Sequence, residues 1–164
     1  MQTGSFPTYR DKYSNGAKHG TGPYSIIERA CESAIIPLGY AVIRGTDADT
    51  QAVLPAASFT LANFLGFVVL PNGSKTKKLT DATGTIVYET EESLPIAEFG
   101  KFTIKCGSTF TAGTRCYVAH TAGVGQPGEL LGSADGVNTV AINATFENSG
   151  SADEIAIIHI NKQV

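Results

Sequence analysis

The sequence predicts a mostly β fold: an antiparallel β-sandwich, jelly-roll-like, or barrel domain, with an extended N-terminal arm and at most one short helix. Three observations carry this. Turn signals built from Gly, Pro, Asn and Ser recur about every 8–12 residues. Short apolar or alternating runs lie between them. Charged residues make up only 16% of the chain, which also carries 18 Gly, a composition suited to short strands and tight turns.

The elements follow in chain order. Residues 1–24 are polar and lack an apolar period, and Asn15-Gly16 and Gly20-Thr21-Gly22-Pro23 interrupt any regular element. They read as an extended arm, ordered only by a partner if at all. Residues 25–164 read as a single β domain. Within it, 25–34 (SIIERACESA) is the one candidate helix: Ser25 as cap, Glu28 completing a capping box, Pro37 and Gly39 ending it. An extended strand running into Ile35-Ile36 is the alternative. Strands are expected at Tyr40–Ile43 and at the apolar run Phe64–Leu70, with a turn at Pro71-Asn72-Gly73. Thr85–Tyr88 and Leu94–Phe99 are shorter candidates, and Phe102–Cys106 alternates as a half-buried strand does. Phe110 leads to a turn at Ala112-Gly113, and Tyr117–Ala119 returns. Val137–Phe146 and Glu154–Ile160 close the chain around the turn cluster Asn148–Ser151.

Composition excludes several function classes. The net charge of −3 and the pI near 5.6 argue against a phosphate-binding surface, which needs clustered Lys and Arg. The one basic run, Lys75, Lys77 and Lys78, reads as a solvated turn. The polar N-terminus lacks the apolar stretch of a signal peptide, and no segment reaches the roughly 20 apolar residues of a membrane helix, so a soluble chain made in a cytoplasm is expected. On that reading the sequons at Asn72 and Asn143 carry no glycosylation signal. Three cysteines, Cys31, Cys106 and Cys116, do not form a secreted disulfide framework, and no C-x-x-C suggests zinc. Cys106 and Cys116 flank a turn and could face each other across a hairpin; two small buried thiols is the plainer reading.

Catalysis needs groups that meet, and the sequence offers none. His19, His120 and His159 each stand alone, without metal-ligand spacing. Gly123–Gly128 matches G-x-G-x-x-G, but Pro127 removes a donor and no helix can follow within Glu129–Gly132, so a glycine turn is expected rather than a nucleotide site. Asp47-x-Asp49 lacks the further ligands of a calcium loop. Glu89, Glu91 and Glu92 have no marked cleft to flank. Ser58 and Ser108 lack the nucleophile-elbow context. No enzyme, cofactor, metal or small-molecule substrate is therefore expected.

One resemblance runs along the domain. Ala30-Cys31-Glu32-Ser33-Ala34-Ile35-Ile36-Pro37-Leu38-Gly39-Tyr40-Ala41-Val42 resembles a stretch of tailed-phage capsid cement (decoration) proteins, small-x-E-x-A-I-x-P-hydrophobic-G before a strand. Ala52-Val53-Leu54-Pro55-Ala56-Ala57 before Phe64-Leu65-Gly66-Phe67-Val68 looks like the family's aliphatic-P-x-A … F-x-G step. Phe110-x-Ala112-Gly113-x-x-Cys116-Tyr117-Val118 resembles its A-G-x-x-V-Y-V turn, with Cys116 replacing the usual Val. Ser151–Ile158 looks like its final strand.

The resemblance covers about residues 25–164 and implies a non-enzymatic structural protein of the virion, made in the host bacterial cytoplasm. It would sit on the outer surface of the capsid, clamp neighbouring major capsid protein subunits against internal DNA pressure, and form a homodimer rather than a homotrimer. No nucleic acid or membrane partner is implied. Tyr and Arg are enriched at interfaces, so Phe6, Tyr9, Arg10, Tyr13 and Tyr24 of the arm are the expected capsid-binding residues. The competing reading is a phage tail or fibre domain, or a carbohydrate-binding β-sandwich using the Tyr and Phe side chains as a platform.

Overall fold

The structure is a computed structural model and describes residues 15–33, 35–70, 79–80 and 85–161. Among them are thirteen strands and one 3-10 turn, Leu61–Asn63. The strands are β1 (Ala17–Lys18), β2 (Ser25–Cys31), β3 (Ile35–Pro37), β4 (Ala41–Arg44), β5 (Gln51–Val53), β6 (Phe64–Val68), β7 (Leu79–Thr80), β8 (Ile86–Glu89), β9 (Ser93–Lys105), β10 (Arg115–Ala119), β11 (Leu130–Leu131), β12 (Thr139–Phe146) and β13 (Ile155–Ile160).

Strand β9 organises the molecule. Its first half pairs with β2 on one side and β6 on the other, and the order β9-β2-β5-β4-β6 returns to β9 as a closed five-stranded ring. Its second half pairs with β13 and with β1, and the sheet continues β13-β12-β10-β11. A lone parallel bridge between Cys106 and Leu130 ties the far end of that sheet back to the end of β9. A separate three-stranded sheet, β3-β8-β7, stands beside the first ring. Ring closure removes open sheet edges, the main liability of an all-β chain.

Two hydrophobic clusters follow from this arrangement. Successive side chains on a strand point to opposite faces, so β4 sends Ala41 and Ile43 to one cluster and Val42 to the other. The larger cluster joins β4 and β6 to the second sheet through Phe64, Phe67, Phe102, Ile104, Phe146 and Ile158. The smaller gathers Cys31, Ile36, Leu38, Leu65, Tyr88, Leu94 and Ile96. Strand β6 is buried on both faces, which is why its sequence, FLGFV, is apolar without alternation.

The mostly β expectation holds, with three corrections. Residues 25–31 are a strand, not the helix considered for 25–34. The Ser25 hydroxyl donates to the Glu98 carboxylate across the sheet at 2.7 Å instead of capping a helix, and Glu28 accepts from Ser93. Ile26 and Ile27 each meet a partner on β9, Ala97 and Ile96, and β-branched side chains favour that pleated setting. The sheet is also not purely antiparallel, because β2 and β5 run parallel. Finally, Leu94–Phe99 and Phe102–Cys106 are not separate strands: β9 runs through Gly100 at φ +113°. A Cβ there would lie 2.7 Å from Tyr24 Cβ and 2.9 Å from the Pro23 carbonyl oxygen. The glycine admits a crossing chain without ending the strand.

All three cysteines are free and buried. Cys106 and Cys116 lie in the larger cluster. Burial pushes the Cys31 thiol up to about 11 and raises Cys106 and Cys116 as well. The native protein should therefore leave all three unmodified by a thiol reagent at pH 8, with three equivalents reacting in denaturant. Rapid native labelling of any one would contradict this burial.

Candidate functional site

Residues 15–17 are bonded into the body of the fold. Asn15 Nδ2 donates to the Leu38 carbonyl at 2.7 Å, and Asn15 Oδ1 accepts from the Lys105 N–H at 2.9 Å. Gly16 N–H donates to the Thr103 carbonyl at 2.6 Å, while its own carbonyl accepts from Leu70 N–H at 2.9 Å. Gly16 is buried at φ +73°, and a Cβ there would lie 2.7 Å from Leu38 Cδ1. Gly39 is matched to this anchor, because a Cβ at 39 would collide with the Asn15 amide. Beyond it, Ala17 N–H donates to the Thr103 hydroxyl, which donates in turn to the Ala17 carbonyl. Thr103 is fully buried, so this reciprocal pair satisfies a polar group that would otherwise cost stability.

Of the expected capsid-binding residues, Phe6, Tyr9, Arg10 and Tyr13 lie outside the described residues. Tyr24 lies within them and is 45% exposed. Its ring meets Phe102 edge-on at 6.3 Å, and Lys18 Nζ sits 4.0 Å from the ring centroid. Tyr24 is thus packed against Phe102 and Lys18 while remaining partly open to solvent.

A charged surface surrounds the second half of β9. Lys101 Nζ donates to Glu147 at 2.9 Å, and His159 Nδ1 lies 3.8 Å from the same carboxylate. The Lys101 hydrogen bond holds the Glu147 carboxyl below its ordinary value, with the charges of Lys101, His159 and His19 adding to it. His19 and His159 therefore do not stand alone, as their spacing suggests. The fold sets His159 beside this carboxylate and His19 within reach of its charge, because β1 and β13 flank β9. Among the described residues, no group of three or more His, Cys, Asp or Glu is placed to hold a metal.

The other sequence candidates resolve into local structure. Gly128 N–H donates to the Ala119 carbonyl, and the Glu129 carboxylate accepts from Gln126 N–H, so these backbone donors of the glycine segment are taken. Strand β11, not a helix, follows. Asp47 Oδ1 accepts from Asp49 N–H and closes a turn. The Glu92 carboxylate accepts from Glu89 N–H at 2.7 Å, and the Ser108 hydroxyl accepts from Gly132 N–H. Glu28, Arg29, Asp49, Thr50, Glu91 and Ser93 line an open groove, in which the Glu28 carboxylate accepts from the Ser93 hydroxyl.

Sequence reasoning missed a loop that presents apolar side chains. Val137 is 76% exposed and Val124 is 50% exposed, on loops that touch where Gly123 meets Asn138. Asp135 fixes the second loop by accepting from Val137 N–H, Asn138 N–H, Asn138 Nδ2 and the Thr139 hydroxyl. Partial desolvation opposes its charge, but these donors outweigh it and hold the carboxyl at about 2. A depressed carboxylate contributes stability above its unfolded value of 3.8 that is lost as pH falls toward about 2. Asp135→Asn should therefore flatten the pH dependence of the melting temperature between those values. An unchanged slope would contradict the network.

The comparisons with known proteins agree with this architecture. The family model described as structural cement protein (E217 gp24/Pam3 gp6) matches residues 1–161. A chain from the solved capsid of Myoviridae phage XM1 superposes with a TM-score of 0.71 over 92% of this chain and 91% of that chain, at 15% sequence identity. No curated protein matches the chain.

Proposed function

The chain belongs to the phage structural cement protein family, and from that premise we propose that it binds the outer surface of a phage head and clamps neighbouring major capsid protein subunits. A capsid structural role follows from membership; the clamp is our reading of how it is performed. The observation that supports it is the extent of the family match, which runs over residues 1–161.

Clamping is a matter of multivalency. A copy that touches more than one capsid subunit raises the effective concentration of each further contact, so modest individual affinities add to a large resistance against separation. The closed rings supply a stiff body with few open edges, and a stiff body transmits load without unfolding. Residues 1–24 are the proposed contact segment. Phe6, Tyr9, Arg10 and Tyr13, with Tyr24 at the root, are the proposed capsid contacts, since aromatic and Arg side chains anchor interfaces. A homodimer would double the arms available to each particle of cement and lower the entropy cost of the second engagement.

The test is co-sedimentation with heads that lack this protein, prepared from the phage that encodes it. Saturable binding at a simple fraction of the major capsid protein copy number is expected. No binding, together with binding to isolated host glycan, would replace the capsid reading with a carbohydrate-binding one.

A further inference from the structure

We propose that copies of this chain associate end to face: the acidic end of one copy seats on the outer face of the β9-β13-β12-β10 sheet of a second copy. The proposal rests on the homodimer reading of the preceding subsection and names the two surfaces that meet.

The acidic end is assembled from three parts of the chain. Ala30 pairs with Gln51 and with Ser93, which brings the end of β2 beside the β4–β5 loop and the β8–β9 turn. Cys31 N–H donates to the Glu92 carbonyl, Glu91 N–H to the Cys31 carbonyl, and Ala30 N–H to the Thr50 carbonyl. The Glu32 carboxylate accepts from Thr46 N–H at the start of the same loop. Glu28, Glu32, Asp47, Asp49, Glu91 and Glu92 therefore crowd one end, where Arg29 and Arg44 are the opposing charges among the described residues. Glu28, Asp49 and Glu91 line its open groove.

The cations gather on the other half. Six Lys and Arg fall among the described residues, and the four outside the acidic end, Lys18, Lys101, Lys105 and Arg115, belong to β1, β9 and β10, so the fold segregates its charge. Register sets Lys101, His159, Thr145 and Arg115 directly opposite one another on four neighbouring strands, and so on one face. Two carboxylates share that face, Glu147 and Asp153, each tied to a lysine in an exposed pair. Such pairs are weak in water and exchange partners readily. Arg115 is exposed, and its Nε donates to the Ile142 carbonyl at 3.0 Å. The guanidinium fork beyond Nε suits a bidentate carboxylate. The middle of the face is apolar: β13 sends Ala156, Ile158 and Ile160 into the larger cluster and half-buried Ile155 and Ile157 to the outer side.

The two surfaces cannot meet within one copy. Lys101 stands eight positions along β9 from Ser93, about 27 Å of extended strand. Between copies they are complementary in sign, and complementary charge fixes orientation as well as partner. A two-fold pair makes the contact twice, each acidic end on the other copy's sheet face.

The experiment is sedimentation equilibrium of the full chain at low and high salt, for wild type, Arg115→Glu, the double variant Asp49→Lys/Glu91→Lys, and an equimolar mixture of the two variants. Melting temperatures check folding, and Lys105→Glu replaces Arg115→Glu if losing the Ile142 bond unfolds the chain. Wild type should self-associate, about tenfold more weakly at high salt, and each variant alone should associate about tenfold more weakly than wild type. The two variants change net charge in opposite directions, so weakening by both is not an effect of net charge. The mixture should recover association as a mixed pair, because an intact acidic end then meets an intact sheet face. Wild-type association that neither variant weakens would overturn the inference and leave the homodimer reading standing. So would a mixture that associates no better than its components. A wild-type chain that stays monomeric would overturn both readings, and loss of head binding by Arg115→Glu in that case would assign the face to the capsid protein instead.

Discussion

Gly66→Ala is expected to destabilise the protein by about 3–5 kcal/mol, the upper range for a single substitution. Gly66 sits in β6 at φ +153°, where a Cβ would be driven into the Ala97 carbonyl oxygen and crowd Ile96. Those atoms belong to β9, and the β6–β9 pairing is the one that closes the first ring. The obstacle is backbone, which cannot rotate away as a flexible side chain can. Relief requires parting the two strands, which exposes Phe67 and Val68, both fully buried. Gly113→Ala is the control. It has φ +81° with open space around its Cβ position, so it carries backbone strain without crowding, about 1 kcal/mol. Chemical denaturation of both variants separates the two effects. Equal losses would mean that strand closure at Gly66 is not what makes glycine necessary there.

Deleting residues 1–14 is expected to weaken head binding about a hundredfold or more while shifting the melting temperature by only a few degrees. The first part follows if two of the four arm contacts act as anchors worth about 1.5–2 kcal/mol each. The second part follows from the contacts that remain. Asn15, Gly16, Ala17 and His19 still bond to Lys105, Thr103 and Lys101, so the domain keeps its N-terminal closure. Unchanged affinity would move the capsid contacts from the arm to the domain, where the exposed Val124 and Val137 loops and the Lys18–Tyr24 surface are the next places to mutate.

Much of the fold is legible in the sequence because apolar periodicity is local. The runs at β4, β6, β10, β12 and β13 announce themselves in the residues that form them. What escapes has non-local causes. Residues 25–31 satisfy a helix cap as readily as a strand, and only β9, some seventy residues on, decides between them. Gly100 interrupts β9 in sequence but not in space, since its purpose is set by Tyr24 crossing over it. The same limit applies to the candidate site. Tyr24 is a candidate contact by residue type alone, and its partial exposure leaves that expectation open to test. Asn15 reads only as half of an Asn-Gly turn, because its partners at Leu38 and Lys105 cannot be inferred from its neighbours. His19 and His159 read as solitary for the same reason; the pairing of β1 and β13 with β9 sets His159 beside Glu147 and His19 within reach of its charge.

If this chain reinforces a capsid, the rupture temperature of DNA-filled heads should depend on its presence. Heads lacking the protein should rupture and release DNA at a lower temperature, and adding the purified full-length chain should restore the threshold, saturating at the stoichiometry of binding. Heads that bind the protein to saturation yet rupture at an unchanged temperature would contradict the account, leaving a decoration without a mechanical role.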